Sequence, residues 1–264
     1  MASSIYNSSI NNSHFGPTLV IDQLWTCIDA ANPKCFSGTP ADGNTVYDLS
    51  GNGRNWTINK DSNGNITHGT DSIADTKVFT ITKSTSNNIG DQNRIVSPIV
   101  NTDPYMSDRN NSNVNYTLMV GSRYTTSTNR NRVFSDISDA SRPPDNQPVN
   151  WFLGHQGNTT GRCFTGGWIG SSSGEGDIGI NDWAIYTTTR RGSDDEQDFW
   201  INGTKEVSNS SAGMLGPYIM SIGGGWTGSE YSDCAVSFAL LYTKSLTDAE
   251  ILQNYNVFKG RFGL

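Results

Sequence analysis

The run CAVSFALLY, Cys234–Tyr242, decides the architecture of this chain. Val236, Phe238, Leu240 and Tyr242 alternate with Ala235, Ser237, Ala239 and Leu241, a period of two that predicts a β-strand. Both sets are largely apolar, so the strand is expected to be central and covered on both faces. The period then changes. In SLTDAEILQNYNVFKG, Ser245–Gly260, Thr247 and Glu250 have the spacing of a helix capping box, and Asp248 suits the positive N-terminal end. Ile251, Tyr255 and Phe258 fall on one side of that helix, and Gly260 should stop it.

The alternation recurs toward the N-terminus. YTLMVGSRY, Tyr116–Tyr124, puts Tyr116, Leu118 and Val120 on one face. DWAIYTTT, Asp182–Thr189, sets Trp183 and Ile185 against Ala184 and Tyr186. QDFWINGTKEV, Gln197–Val207, holds Asn202-Gly203 between strand-like flanks, a strong hairpin signal. Short strands with turn signals between them indicate one antiparallel sandwich, and its size suits the 264 residues. SDISDASRPPDNQPVN, Ser135–Asn150, reads as a long surface loop. Residues 1–17 are polar, aperiodic and end at Gly16-Pro17, an arm with no core of its own. The division is therefore an arm, 1–17, and one domain, 18–264.

Composition agrees with strands and turns. The chain has 28 Gly, only 16% charged residues and five Glu, too few helix formers for an α-rich protein. Aromatic residues at 10% suffice for a sizeable core. The net charge of −7 argues against a nucleic-acid partner, because no basic stripe exists to displace phosphate counterions. The arginines of RYTTSTNRNR, Arg123–Arg132, and TTTRR, Thr187–Arg191, are expected at solvated strand ends. No apolar run approaches the roughly 20 residues of a membrane span, and the N-terminus lacks the charged and apolar regions of a secretory signal. Cys27, Cys35, Cys163 and Cys234 have no CxxC spacing, and His14, His68 and His155 show no ligand spacing, so zinc is not indicated. A Cys27–Cys35 bridge is compatible with the spacing but not required, and synthesis in a reducing cytosol is favoured.

The two ends carry a resemblance. LWTCIDAANPKCF, Leu24–Phe36, with YDLSGNGRNW, Tyr47–Trp56, and FALLYTKSLTDAEILQNYNVFKGRFGL, Phe238–Leu264, resemble laminin-G-like, concanavalin A-like jelly-roll domains found in virion proteins of tailed marine and cyanobacterial bacteriophages. The resemblance spans Thr18 to Leu264. It implies an all-β antiparallel sandwich with one short C-terminal helix, closed where the last strand meets the first. Asp48, Gly51, Asn52 and Gly53 would form a tight loop needing positive φ before a strand at Trp56.

Candidate sites are few. The β-glucanases of this architecture carry Glu-x-Asp-x-x-Glu for acid–base and nucleophilic work. EGDIGI here keeps Glu175 and Asp177 but has Ile180 in the last place. GSSSG around Ser172 matches a hydrolase elbow in letters only, since no helix pattern follows. For a sugar face, Trp168, Trp226 and Tyr231 are the candidates, beside Gly, Ser and Thr in loops after strands; core packing is the competing role. The resemblance also implies calcium at a loop rim, for which Asp177, Asp182, Asp194 and Asp195 offer hard oxygens, against the alternative of solvated surface acids.

No cofactor is required by any of these patterns. The expected function is a non-enzymatic structural protein of a phage particle: an exposed capsid decoration, fibre or knob protein, made in the host cytoplasm and residing in the virion. Its partners would be other capsid or tail proteins, further copies of itself in a homo-oligomer, and host surface glycans, without membrane insertion. The arm would dock it through Ile5, Tyr6, Ile10 and Phe15. The alternative is an independent carbohydrate-binding lectin or a glucanase-like glycan-degrading protein.

Overall fold

The structure, a computed structural model, describes residues 18–61, 65–83, 93–98, 100, 114–128, 131–136, 151–156, 159–165, 167–171, 174–176, 178–210, 217, 219–224 and 231–264. The arm with Ile5, Tyr6, Ile10 and Phe15 lies outside them, as do Asp177, Ser172, Trp226 and most of the 135–150 loop.

Among the described residues there are sixteen strands: β1 (Leu24–Asp29), β2 (Thr45–Val46), β3 (Trp56–Asn59), β4 (Asn65–Thr70), β5 (Lys77–Thr82), β6 (Arg94–Val96), β7 (Tyr116–Tyr124) and β8 (Arg132–Asp136). They continue as β9 (Trp151–Gln156), β10 (Thr159–Thr165), β11 (Trp168–Ile169), β12 (Ala184–Arg191), β13 (Glu196–Ile201), β14 (Thr204–Ser210), β15 (Met220–Ile222) and β16 (Cys234–Tyr242). A helix, α1 (Asp248–Phe258), follows. The first sheet runs β14-β13-β12-β7-β16-β5-β4 with β1 also paired to β16, and the second runs β11-β10-β9-β8-β15-β6-β3-β2. All pairings are antiparallel, so the chain is an all-β sandwich.

The main core lies between the sheets. Tyr116, Leu118, Val120, Tyr186, Phe199 and Leu241 of the first sheet meet Trp56, Ile58, Ile95, Phe134, Leu153 and Ile222 of the second. A second cluster, with Leu24, Cys27, Met119, Ile185, Phe238 and Leu240, covers the outer side of the first sheet and receives Ile251 and Phe258 of α1. The double burial expected of β16 follows from its place: β7 flanks one edge, and β1 and β5 share the other.

Its alternation is broken, however. The register against β7 shifts between Val236 and Phe238, so Val236 faces the inter-sheet core while Phe238, Leu240 and Tyr242 face α1. The expectation of one face holding all four is corrected by this bulge at Ser237.

Local signals elsewhere are realised. Asn202 and Gly203 both have positive φ, 51° and 77°, and join β13 to β14 in a two-residue turn. Gly51 and Gly53, at φ 87° and 71°, shape the loop before β3. There Asp48 is the hub: its carboxylate accepts from the Cys27 N–H at 2.9 Å, the Thr26 hydroxyl at 3.2 Å and the Ser50 N–H at 2.9 Å. Thr247 and Glu250 form the capping box of α1.

Two details of the helix differ from expectation. Asn254, rather than Tyr255, is its buried middle residue. Its Oδ1 accepts from the Val20 N–H at 2.9 Å and its amide donates to the Tyr242 hydroxyl at 3.0 Å, which satisfies the polar group and makes burial tolerable. The chain does not break at Gly260 either. It tightens into a 3₁₀ turn over Lys259–Arg261, and Gly263 takes the positive φ, 70°. Cys27 and Cys35 are both free and pack in different clusters, on the outer side of the sheet and in the main core, so no bridge joins them.

Candidate functional site

Of the residues singled out for sugar contact, the two described, Trp168 and Tyr231, are not brought together. Trp168 sits on β11, the edge of the second sheet, half-buried, with the Arg162 guanidinium 4.5 Å above its ring and Phe164 edge-on at 5.2 Å. Tyr231 is 2% exposed, wedged beside Gly224, with its hydroxyl held by Arg94. Arg94 belongs to β6, five places from β11 in the sheet order, which at about 4.8 Å per step separates the two sites by roughly 24 Å. Trp168 and Tyr231 therefore do not share a subsite, and Tyr231 is buried.

The aspartates are dispersed as well. Asp182 precedes β12 and accepts from the Gly179 N–H at 2.8 Å, whereas Asp194 and Asp195 follow the same strand. The eight residues of β12 hold these ends roughly 27 Å apart. Asp195 pairs with Arg190, and Asp194 lies 3.7 Å from Arg191. Among the described residues no group of three or more His, Cys, Asp or Glu could hold a metal ion. His68 is packed between Phe36 and Phe79 with Nε2 2.8 Å from the Ala30 carbonyl. The arginines expected in solvent are largely buried: Arg123 at 8%, Arg132 and Arg190 at 0% exposure. Burial is tolerable because Arg123 meets Asp71 at 2.6 Å and Arg190 meets Asp195.

The site the sequence reading missed lies within the stretch that carries the family resemblance. After β1 the chain folds back: the Asn32 N–H reaches the Asp29 carbonyl at 3.1 Å, the Cys35 N–H the Asn32 carbonyl at 2.9 Å, and the Lys34 N–H the Asn32 side chain at 3.0 Å. The Tyr47 N–H then donates to the Cys35 carbonyl at 2.8 Å, pinning the end of β2 against this turn. Between the two strips is an open groove of about 420 Å³ lined by Pro33, Lys34, Phe36, Ser37, Asn44, Thr45 and Tyr47. Phe36 forms its buried floor, locked edge-on against His68 and Phe79 at 5.2 and 5.3 Å.

Above that floor Tyr47 is 55% exposed. Asn44 is oriented by the Ala41 N–H, which donates to its Oδ1 at 2.9 Å and leaves the amide N–H₂ to donate outward. The arrangement is a rigid hollow with one free aromatic face and a rim of amide, hydroxyl and ammonium groups. Such a site can cover an apolar ring face while hydrogen-bonding its polar edge. A signal was available: in NTVYDL the buried Val46 fixes the alternation, which turns Tyr47 outward.

No protein-family model matches the chain, and no curated protein sequence matches it. Solved structures do. Domain 4 of an extracellular arabinanase from Geobacillus stearothermophilus, in complex with arabinotriose, superposes with a TM-score of 0.57 at 15% identity, over 88% of this chain and 98% of that one. Trypanosoma rangeli sialidase in complex with sialic acid gives 0.56 at 11% identity, over 98% of this chain but only 37% of the sialidase. The binding domain of botulinum neurotoxin serotype D gives 0.52 at 13% identity, over 89% of this chain and 51% of that one. This chain therefore spans just over a third of the sialidase and nearly all of the arabinanase domain. At such identities the likeness is one of fold, a β-sandwich shared with glycan-acting proteins and a toxin's binding domain.

These neighbours correct the expectation of a non-enzymatic protein, since the sandwich occurs within an arabinanase and a sialidase. For glycosidase chemistry that expectation rested on one carboxylate pattern along one strand. Here Glu175 lies between β11 and β12, outside any strand, and its carboxylate accepts from the Ser171 N–H at 2.6 Å. The pattern tests a single placement of catalytic acids, and this stretch is not that placement.

Proposed function

We propose that this chain is a glycan-binding β-sandwich domain whose groove beneath Tyr47 takes one sugar ring. The observation that carries the reading is Tyr47 itself, 55% exposed above a 420 Å³ groove. A pyranose or furanose offers a C–H face to the phenol ring and hydroxyls to Asn44, Thr45 and Ser37. The glycan-acting names among the structural neighbours support the same reading. Titration calorimetry against neutral trisaccharides, arabinotriose among them, and against free sialic acid tests it. Tyr47→Ala should weaken binding about tenfold, roughly 1.4 kcal/mol, while Tyr47→Trp retains it. Because Tyr47 is exposed, the melting temperature should not move. Equal affinity in Tyr47→Ala and the parent chain would sink the reading.

A finer reading places the domain on a phage particle, as a capsid decoration, fibre or knob protein in a homo-oligomer facing host glycans. What supports it is the resemblance of Leu24–Trp56 and Phe238–Leu264 to such virion domains. Residues 1–17 would dock it to capsid or tail proteins by adding an extended segment to a neighbour. Gold-labelled antibody against the chain should decorate intact particles in electron microscopy. Removing residues 1–17 should abolish incorporation while leaving the melting temperature unchanged.

A further inference from the structure

A second groove, of about 460 Å³, lies at the opposite pole of the sandwich, where the starts of β1 and β7 meet the ends of β12 and β16. It is lined by Gln23, Asn115, Arg191, Ser193, Thr243 and Lys244, with Ser245 beside them. Gln23 immediately precedes β1, and the Tyr47 groove begins after its end. The six residues of β1 therefore set the two hollows roughly 20 Å apart.

Three features make this groove more than a polar dent. First, its cations are immobilised and neutralised. Arg191 reaches Asp198 at 2.8 Å and Glu196 at 2.5 Å, and Lys244 reaches Asp22 at 2.8 Å and Glu250 at 2.7 Å. Second, Asn115 is oriented by the Gly192 N–H, which donates to its Oδ1 at 2.9 Å and leaves its amide N–H₂ to donate into the groove. Third, Gln23 holds φ at 54°, and among the described non-glycine residues with positive φ it alone is neither Asn nor Asp. Asn and Asp tolerate that region through short polar side chains; a glutamine there is strained. Its carbonyl accepts the Thr243 N–H at 3.0 Å, which fixes this backbone conformation in a residue that is exposed and lines the groove. Strain maintained at the wall of a hollow is a mark of a site.

We infer that this groove is a second sugar site, selective for neutral glycans, so that the domain is bivalent and bridges two glycan chains. The choice of ligand follows from the lining. No aromatic ring is among the lining residues, and Arg191 already faces three carboxylates and Lys244 two. The Ser193 and Thr243 hydroxyls donate to Asp194 and to the Gln23 carbonyl, which leaves amide N–H groups to donate and hydroxyl and amide oxygens to accept. That complements a polyhydroxyl edge and disfavours an anion. The inference rests on the glycan reading of the Tyr47 groove for its ligand class, but on separate residues for its geometry.

Calorimetry of the full chain separates the two. With arabinotriose, xylotriose, cellotriose and mannotriose as probes, the best binder should show two sites per chain, falling to one in Tyr47→Ala and to one in Gln23→Gly/Asn115→Ala. Gln23→Gly suits the positive φ, so folding is preserved, and the pair should weaken its own site at least about fivefold. The parent chain should also raise light scattering when mixed with the matching polysaccharide, and neither variant should. One site lost in Tyr47→Ala overturns the second site and leaves the first standing. One site lost only in the Gln23 and Asn115 variant overturns the Tyr47 groove and keeps this one. Preference of this groove for sialic acid over every neutral probe overturns the ligand class, and no binding of any sugar overturns both readings.

Discussion

Arg261 grips Asp29 with both arms of its guanidinium, Nη1 to Oδ1 at 2.7 Å and Nη2 to Oδ2 at 2.8 Å, across 232 positions of sequence. Asp29 is 1% exposed and also accepts from the Ala31 N–H at 3.0 Å, at the turn that leads to the Tyr47 groove. The C-terminal turn therefore clamps the end of β1. Arg261→Met removes two charge-assisted hydrogen bonds from a buried carboxylate and should cost about 1.5–3 kcal/mol. Urea unfolding, read as a midpoint shift at unchanged slope, measures it. A midpoint within error of the parent would show the clamp to be a surface pair of no consequence.

Gly121 is the place where α1 comes down on the first sheet. A Cβ there would overlap the Phe238 ring, and Phe238 is stacked on Phe258 of α1 with centroids 3.7 Å apart. Neither ring can retreat without opening the outer cluster. Gly121→Ala should cost about 1–3 kcal/mol by overpacking. Gly69→Ala is the control, because a Cβ at Gly69 meets nothing within 4 Å. Equal melting temperatures for the two variants would contradict this account of how the helix is seated.

Acid should loosen the fold through Asp71. Burial alone would raise its pKa, but the Arg123 guanidinium at 2.6 Å, the N–H groups of Ile73 and Ala74, and the Trp183 indole outweigh it and hold the carboxyl below its ordinary value. A carboxylate depressed in the folded state stabilises fully above the unfolded pKa, near 4, and the contribution fades as pH falls through the folded value. Melting temperature should fall below about pH 4, and Asp71→Asn, less stable at pH 7, should lose less over the same range. Parallel pH profiles for the two chains would remove Asp71 from the explanation.

All four cysteines should be silent in the native protein. Cys27, Cys35, Cys163 and Cys234 are buried and free, and burial pushes the Cys163 thiol up to about 12 and those of Cys35 and Cys234 higher still. Thiolate, the reactive form, is thus scarce at pH 8. Iodoacetamide should modify none of them in buffer and all four in guanidinium, counted by intact mass. Rapid native labelling of any one would place it in a region that opens readily.

Features that depend on a few adjacent residues could be read from the sequence alone. The Asn202-Gly203 turn follows from the ease with which both residues take positive φ, and the start of α1 from a hydroxyl and a carboxylate three positions apart. Alternation in Tyr116–Tyr124 identified which side chains enter the core, because a strand turns successive residues to opposite faces. The all-β sandwich is the sum of such local preferences. Other outcomes belong to tertiary structure. Ser237 carries a bulge only because β7 pairs in two registers along β16, so Phe238 leaves the face its spacing assigns. Asn254 is buried because Val20 and Tyr242 supply its hydrogen bonds from far away in the chain. Both grooves form where strand ends distant in sequence converge. Trp168 and Tyr231, alike as sugar candidates in composition, are separated because Trp168 lies on β11 while Tyr231 packs against Arg94 of β6, five places away in the sheet. Sequence periodicity sets which way a residue points along its own strand; the pairing of strands sets what it faces.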